Sequence, residues 1–313
     1  MCCDIKLNLQ DYNNSEPIIV CGRTMEFCEP LQSRLELVPR DKKCESITPF
    51  NKLEWISKYG YIGIKVLEKD IVVDGINEVG LSCGILTLDA TKYSNVTNTS
   101  ISILDVCSWL LSNCSNVAQS IELLKSKQIY GETIPVLNRV IGLHIIVHDS
   151  LGNSIVCELS ENNMDITYTD GIVTNGPYYN QQLHFLDDYR NNKFNIQDPY
   201  SSIGRFIKLS ELKRVCIPES HDSLGLVSLI CHMFNNVDIT RGVSISHRDD
   251  NILFGITQWC FIKDLTSKHL YYRSYNNMTL HHIDLNTLDF SGYKSYKNIY
   301  IDDTISTIIN VSL

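Results

Sequence analysis

The sequence lacks any apolar run approaching the roughly 20 residues that a membrane-spanning helix needs. It also lacks a basic stripe, because 27 Lys and Arg are set against 36 Asp and Glu and the formal net charge is −9. Proteins that bind nucleic acid through phosphate contacts carry the opposite electrostatic pattern. We therefore expect no membrane span and no nucleic-acid partner.

The CxxC spacing is absent as well, although the chain holds twelve cysteines. Structural zinc sites usually need such closely spaced thiol pairs, so the sequence predicts no metal site. The first residues are polar and acidic, without the basic and apolar regions of a secretory signal. We expect a cytoplasmic protein whose thiols are mostly reduced and buried.

The composition is that of a globular protein, with 43% apolar and 20% charged residues. Short apolar runs separated by turn residues, such as "PIIVCGR" and "GLSCGILTL", predict strands in the first hundred positions. Apolar spacing over 104–127 predicts one amphipathic helix. Beyond it the pattern predicts a hairpin turning near 150–153, three more helices, and strands again at the end. This order favours an α+β fold, with sheets packed together and helices outside, in a single domain over residues 1–313.

The N-terminus reads "MCCDIKLNLQ", which places a thiol at position 2. In most proteins such a cysteine is a small buried hydrophobe. If Met1 is removed, however, Cys2 carries both a thiol and a free α-amine that can serve as its base. A free thiol titrates near ~8.5 and an α-amine near ~7.7–8.0, so the two groups are matched for proton exchange near neutral pH. Position alone leaves both interpretations open.

Three further segments carry residues suited to this chemistry, and each also has an ordinary structural explanation. In "GRTMEF", Arg23 beside Cys2 would favour the thiolate and Glu26 would accept from an α-ammonium, but the two also suit a surface ion pair. In "VTNGPYYNQQL", Asn175 is either an oxyanion donor or a turn residue. In "SSIGRFIKL", Arg205 lies near a predicted helix start, where an exposed arginine is the default.

Together these segments resemble the choloylglycine hydrolase family, which includes bile salt hydrolases and penicillin V acylases. Cys2 and six motifs occur in the family's order over nearly the whole chain: "GRTMEF", "DGINEVGL", "LHIIVHDSLGNSIVCE", "VTNGPYYNQQL", "GRFIKL" and "TQWCFIKDLTSKHLYYRSYNN". The resemblance implies a four-layer αββα N-terminal nucleophile hydrolase fold, with two antiparallel sheets between helices. It also implies hydrolysis of a linear carbon–nitrogen amide bond through an acyl-thioester, with no metal or cofactor.

Matched position by position, the resemblance implies roles for individual residues. Cys2 corresponds to the nucleophile and Arg23 to the arginine beside it, while Glu26 stands where most members have Asp. The backbone N–H of Thr87 and the side-chain amide of Asn175 would form the oxyanion hole.

The chain also departs from the family pattern. Arg205 matches the arginine of the family's "SRF" signature, written "GRF" here. Thr87 is neither the Asn typical of bile salt hydrolases nor the Tyr of penicillin acylases, so neither substrate label transfers. Cys3 sets a second thiol beside Cys2, and because successive strand side chains face opposite sides we expect it to be buried and to point away. Bile conjugates, phenoxyacetyl penicillin, acyl-homoserine lactones and fatty-acid amides all stay open as substrates.

Two other function classes remain as alternatives. One is a catalytically silent member of the family that binds acyl ligands, against which the retained Cys2, Arg23, Asn175 and Arg205 argue. The other is an unrelated cysteine-rich redox or metal protein, against which the missing CxxC spacing argues.

The segment between Asn175 and Arg205 is short and lacks the Gly-rich assembly loop that many family members carry. Residues 184–204 hold five charged and four Asn or Gln residues, with apolar positions few and spread out. Stable interfaces need a buried apolar core that this stretch is too polar to supply. We expect a monomer or a differently built dimer, and not the loop-mediated tetramer.

Overall fold

The structure is a computed structural model that describes residues 2–10, 17–47, 53–134, 137–161, 163–248, 251–294, 296 and 298–301. In chain order the strands are β1 Cys2–Leu9, β2 Ile18–Phe27, β3 Arg34–Val38, β4 Lys43–Glu45, β5 Glu54–Ile56, β6 Tyr61–Val66, β7 Ile71–Asn77, β8 Ser82–Thr87, β9 Ile101–Ser102, β10 Ile129–Tyr130, β11 Thr133–Ile134, β12 Arg139–Val140, β13 Leu143–His148, β14 Ser154–Ser160, β15 Asn163–Tyr168, β16 Ile172–Val173, β17 Ser244–Arg248, β18 Asn251–Asp264, β19 His269–Ser274, β20 His281–Asp284 and β21 Ile299–Tyr300. The helices are α1 Ile103–Asn113, α2 Val117–Lys125, α3 Tyr179–Arg190, α4 Ser202–Val215 and α5 Ser223–Asn235, with a short 3₁₀ turn at Leu285–Thr287.

Two large antiparallel sheets organise these strands. The first sheet has the order β16-β1-β2-β18-β19-β20, with β17 paired to β18. The second has the order β15-β14-β13-β8-β7-β6-β3-β21. Helices α4 and α5 pack on the first sheet, α1 and α2 pack on the second, and α3 packs on α4. The αββα layering and the α+β class that the sequence predicts are confirmed.

Strands β1 and β2 are neighbours within the first sheet. Their side chains point alternately toward the helices and toward the second sheet. Gly22 on β2 faces α5, where an added Cβ would lie only 2.9 Å from the Phe234 ring. Because strand side chains alternate, Arg23 points to the opposite face, which packs against the second sheet. The register pairs Cys2 with Met25 and Asp4 with Arg23, so these four side chains share that inner face.

One sequence prediction is wrong: residues 104–127 form two helices and not one amphipathic helix. Cys114 caps the C-terminus of α1 by donating its N–H to the Leu110 carbonyl, and Asn116 caps the N-terminus of α2, where its side chain accepts from Gln119 N. Local capping thus overrides a continuous apolar spacing. Helix α1 is also buried over nearly its whole length, so it lacks the exposed polar face of an amphipathic helix.

Elsewhere the predicted elements agree with the structure. The hairpin near 150–153 joins β13 to β14, and the three later helices correspond to α3, α4 and α5. In the described part of the chain, no helix combines the length and the apolar character that crossing a membrane would require.

Candidate active site

Cys2 is the first residue of β1, and its side chain lies on the face between the sheets. Only 1% of the residue is exposed. Arg23 Nη2 donates to Cys2 Sγ at 3.3 Å, and Met25 Sδ lies 3.7 Å from the same sulfur. The structure therefore places Arg23 beside Cys2, as the sequence predicts, with a guanidinium N–H directed at the sulfur.

Arg23 is wholly buried, and groups from two other strands hold its guanidinium. Nη1 donates to the Val73 carbonyl and lies 3.5 Å from Asp74 Oδ2, both on β7. The guanidinium carbon lies 5.6 Å from the centre of the Trp259 ring on β18. Burial by itself would lower the pKa of Arg23, but Cys2 and Asp74 raise it above its usual value. Arg23 is therefore a permanent cation beside the thiol.

Asn175 follows β16, and its side chain connects Cys2 to Thr87. Oδ1 accepts from the Cys2 nitrogen at 2.6 Å and from Arg205 Nη2 at 2.9 Å. Nδ2 donates to the Thr87 carbonyl at 2.8 Å and to the Thr87 hydroxyl at 2.7 Å. Gln182 on α3 holds the Asn175 backbone by donating Nε2 to its carbonyl at 2.7 Å. Asn175 is thus a buried, fully engaged residue and not an exposed turn residue.

The backbone of Thr87, the last residue of β8, turns toward Asn175. Leu88 donates its N–H to the Gly142 carbonyl at 2.8 Å, on the side of β13. Because successive residues of a strand direct their N–H and C=O groups to opposite sides, those of Thr87 point away from β13. On that other side, pairing of β8 with β7 ends at Gly84. Since the Thr87 carbonyl contacts Asn175 Nδ2 there, the Thr87 N–H lies on the same side as that amide.

Arg205 and Glu26 lie on the opposite, helix-facing side of the first sheet. Arg205 on α4 donates Nη1 to the Cys2 carbonyl at 2.8 Å and lies 3.8 Å from Glu26 Oε2. The Thr257 hydroxyl donates to Glu26 Oε1 at 2.9 Å. Burial raises the pKa of the Glu26 carboxyl, and the Arg205 guanidinium offsets part of that rise. The expectation that Arg205 is exposed near the start of a helix is wrong, because the residue is completely buried.

Cys3 is buried and faces away from Cys2, as predicted. Its sulfur accepts from Arg205 Nη1 at 2.8 Å, on the helix side of the sheet. Burial raises the pKa of the Cys3 thiol to about 12, although the Arg205 guanidinium acts in the opposite direction. Cys3 is therefore a neutral thiol near neutral pH.

An apolar cavity opens beside Cys2. Cys2, Arg23 and Thr87 contribute to its wall. The other described residues that line it are all apolar: Met25, Phe27, Leu31, Val66, Leu67, Ile71, Val73, Ile85, Leu104, Ile134, Leu137, Ile141 and Leu143. The cavity thus presents one reactive, polar group of residues and an otherwise apolar wall.

Sequence reasoning missed two charged residues next to this site. Asp74 opens the "DGINEVGL" segment, which indicated only a hairpin, yet its carboxylate is wholly buried against Arg23. Lys263 is a lysine inside the apolar run "QWCFIKDL", and it forms an ion pair with Asp74. A charge within an otherwise apolar strand was the available signal, because such residues are rarely buried unless paired.

Within the described part of the chain, no three or more His, Cys, Asp or Glu residues are clustered so that they could bind a metal ion. Each of the twelve cysteines lies in that part and is a free thiol.

Comparison with known proteins gives consistent matches over the whole chain. A family model described as linear amide C–N hydrolases, choloylglycine hydrolase family, matches residues 2–304. A bile salt hydrolase/transferase of Clostridium perfringens is 26% identical over 331 residues, covering 95% of this chain and 97% of that protein. The crystal structure of the C2A mutant of a conjugated bile acid hydrolase from C. perfringens matches with a TM-score of 0.82, 25% identity and full coverage of both chains. Penicillin V acylase from Agrobacterium tumefaciens shares the fold, with a TM-score of 0.78, 21% identity and coverage of 93% and 89%.

Proposed function

The chain belongs to the choloylglycine hydrolase family and is a linear amide C–N hydrolase, and from that premise we propose that Cys2 is its nucleophile and the Cys2 α-amine its general base. The observation that carries the proposal is the position of Cys2 Sγ, 3.3 Å from the buried Arg23 guanidinium and at the wall of an apolar cavity. Removal of Met1, which lies outside the described residues, frees the α-amine.

In the first half of the proposed reaction, the α-amine accepts the thiol proton and the thiolate attacks the amide carbonyl carbon. Arg23 stabilises the thiolate, and Asn175 Oδ1, 2.6 Å from the Cys2 nitrogen, orients the amine. The developing oxyanion would bind to the Thr87 N–H and to Asn175 Nδ2. Nδ2 now donates to both Thr87 oxygens, and the hydroxyl is the one that gives way because it turns about χ1. Loss of one such donor typically slows a reaction ~10²–10³-fold.

In the second half, the α-ammonium returns its proton to the leaving nitrogen as the C–N bond breaks, and an acyl-thioester remains on Cys2. Water then attacks the thioester carbonyl while the α-amine accepts a proton from it. The C–S bond breaks, the carboxylic acid leaves, and the proton returns to the thiolate. All four proton transfers use the amine on the same residue as the nucleophile, so little orientation has to be gained during the reaction. Arg205 supports this geometry by binding the Cys2 carbonyl at 2.8 Å.

The lining of the cavity favours a substrate whose acyl group carries no polar substituents. Its described lining residues beyond Cys2, Arg23 and Thr87 carry only apolar side chains. A hydroxyl on the acyl group would lose its water without gaining a partner, at a cost of about 1–3 kcal/mol. Aliphatic and phenoxyacetyl groups therefore fit better than a hydroxylated steroid.

A panel of N-acyl amides tests this function under reducing conditions, with release of free amine as the readout. We expect octanoyl-glycine and a phenoxyacetyl amide to be cleaved with kcat/KM at least ~10-fold above that of cholylglycine, from the cost of one unpaired hydroxyl. Equal or better cleavage of cholylglycine would contradict the apolar acyl assignment. Tight binding of an acyl amide without any amine release would instead favour the silent acyl-binding alternative.

Intact-mass measurement of the same preparation tests the processing step. Active protein should lack Met1 and begin at Cys2, because only then is the α-amine free. An active preparation that fully retains Met1 would overturn the assignment of the general base.

We also propose that the enzyme works in a reducing compartment, the cytoplasm. The support is that all twelve cysteines are free thiols and eight of them are buried.

A further inference from the structure

A layer of buried charge lies between the two sheets, directly behind Arg23. Asp74 on the second sheet contacts two cations of the first sheet, Arg23 Nη1 at 3.5 Å and Lys263 Nζ, and all three side chains are buried. Burial alone would lower the pKa of Lys263, but Asp74, Cys21 and Asp4 raise it above its usual value. One carboxylate thus lies between two permanent cations, of which only Arg23 touches the Cys2 sulfur.

A β-bulge at Val73 turns Asp74 into this layer. Ile64 pairs with Asp74 but the next residue, Lys65, pairs with Val72, so Val73 is the extra residue on β7. Without the bulge Asp74 would lie on the same face as Val72, on the side where Lys65 and the α1 residue Asp105 line a common pocket. The bulge also directs the Val73 carbonyl at Arg23 Nη1. A single irregularity therefore supplies both β7 contacts of the arginine.

The two neighbours of Asp74 compete for its charge. A carboxylate paired with Arg23 alone would neutralise the guanidinium and weaken its effect on the nearby sulfur. Because Lys263 shares the carboxylate, Asp74 can hold Arg23 in place while the net charge of the three groups stays at +1. That remaining positive charge faces Cys2.

We propose that Asp74 and Lys263 are positioning residues that act through Arg23: Asp74 holds the guanidinium against Cys2 Sγ, and Lys263 keeps Asp74 from neutralising it. This inference rests on the proposed role of Cys2 as nucleophile. It assigns a function to two buried charges outside the group that would touch the substrate.

Other titratable groups face the same region and set the background for the effect. Around Cys2 these are Glu26 on β2, Arg205 on α4 and the neighbouring Cys3. Around the Asp74–Lys263 pair they are Asp4 on β1, Cys21 on β2 and Cys83 on β8, with His148 on β13 bonded to Asp4 at 2.6 Å. The substitutions proposed below leave all of these groups in place.

The test is the pH at which Cys2 becomes reactive. A short pulse of iodoacetamide, followed by mass spectrometry of the N-terminal peptide, gives the alkylated fraction of Cys2 as a function of pH and requires no turnover. Relative to the wild type, Lys263→Met should move the midpoint up by roughly one pH unit. Asp74→Asn keeps an oxygen that can accept from Arg23 but removes the opposing negative charge, so it should move the midpoint down. The double variant Asp74→Asn/Lys263→Met removes a matched pair and should return the midpoint close to the wild-type value.

Lys65→Met is the matched control. Lys65 is also a buried lysine bound to carboxylates, those of Glu36 and Asp70, but it lies on the other face of the second sheet. It should leave the Cys2 midpoint unchanged. Shifts of both single variants in the same direction, or no shift in either, would overturn the proposal.

A second pair of variants keeps the test decisive if a charge substitution prevents folding. An added Cβ at Gly84 would lie 3.3 Å from Arg23 Nη1 and 3.5 Å from Asp74 Oδ2. At Gly63 it would lie slightly closer to its neighbour, 3.1 Å from the Tyr61 ring, but away from Arg23. Gly84→Ala should lower kcat at least ~10-fold with little change in KM, because it displaces Arg23 without removing charge. Gly63→Ala should retain the wild-type kcat. Equal kcat values for the two variants would contradict the positioning role.

The proposed function can fail separately from this inference. If Cys2→Ala retains amide hydrolysis, Cys2 is not the nucleophile and the proposed function is wrong. If Cys2→Ala is inactive but the midpoints do not move as stated, only the role of Asp74 and Lys263 is wrong.

Discussion

The identical side chains of Cys2 and Cys3 have different surroundings, because successive residues of a strand point to opposite faces. Cys2 faces the second sheet, where Arg23 Nη2 lies 3.3 Å from its sulfur. Cys3 faces the helices, where burial raises the pKa of its thiol to about 12. Arg205 contacts both residues, through the Cys2 carbonyl and the Cys3 sulfur, and therefore ties the strand to α4.

Substitution of each cysteine should separate the two roles. Cys2→Ala should lower amide hydrolysis by at least ~10⁴-fold, as loss of a nucleophile does, while the fold is kept. Cys3→Ala should retain most activity and lose about 1 kcal/mol of unfolding free energy, because one hydrogen bond from Arg205 loses its acceptor. Cys2→Ser should fold but hydrolyse slowly, since a hydroxyl is much harder to deprotonate than a thiol.

Steady-state kinetics and chemical denaturation of the three variants provide the measurement. Equal loss of activity in Cys2→Ala and Cys3→Ala, with both folded, would show that the two thiols act together or that the assignment is reversed.

At the scale of elements, irregular positions decide which side chains reach the site. The bulge at Val73 turns Asp74 between the sheets, and the end of the β7–β8 ladder leaves the Thr87 backbone on the side of Asn175. The break between α1 and α2 has a comparable local cause in the cap formed by Asn116. Each irregularity depends on one or two residues and has no periodic signature in the sequence.

Helix α1 carries a buried carboxylate that should make stability depend on pH. Asp105 accepts from the Ser46 hydroxyl and from Ile47 N at 3.1 Å, and burial raises its pKa from 3.8 to about 6. Because the folded protein binds this proton more tightly than the unfolded chain, the group contributes stability below about pH 4, and that contribution is lost as pH rises toward 6. The loss amounts to up to roughly 3 kcal/mol.

Denaturant unfolding of the wild type and of Asp105→Asn at pH 4 and pH 7.5 measures this effect. The variant has no charge to bury, so its stability relative to the wild type should be higher at pH 7.5 than at pH 4. A stability difference that is the same at both pH values would show that Asp105 is not the titrating group.

At the scale of the whole molecule, residues 184–204 use their apolar side chains within their own subunit. Phe185 and Phe194 pack with ring centres 5.1 Å apart, and Leu186 is buried. Ile196 and Ile203 pack against the hydrophobic core. Little apolar surface of this segment is left to form the core of an interface.

We therefore predict that the protein does not assemble as a tetramer through residues 184–204 and is a monomer or a differently built dimer. Light scattering at micromolar concentration measures the stoichiometry, and cross-linking with mass spectrometry locates any interface. A stable tetramer whose cross-links fall within 184–204 would contradict the prediction, whereas a tetramer built elsewhere would contradict only the stoichiometry.

The sequence by itself determined the parts of this protein that are local or ordered along the chain. Strand and helix positions follow from apolar periodicity and turn residues, and the proximity of Cys2 to Arg23 follows from their positions on two consecutive, paired strands. The order of the motifs around Cys2, Asn175 and Arg205 identified the family, which the match over residues 2–304 confirms.

Only the tertiary structure decided what surrounds the nucleophile. Asp74 and Lys263 are 189 residues apart in the chain, and they meet because two sheets pack face to face. From the sequence Arg205 is expected to be an exposed helix residue, whereas in the structure α4 packs on β1 and the side chain is buried. Burial, charge pairing and the shape of the apolar cavity arise from contacts between distant segments, and periodicity within one segment carries no information about them.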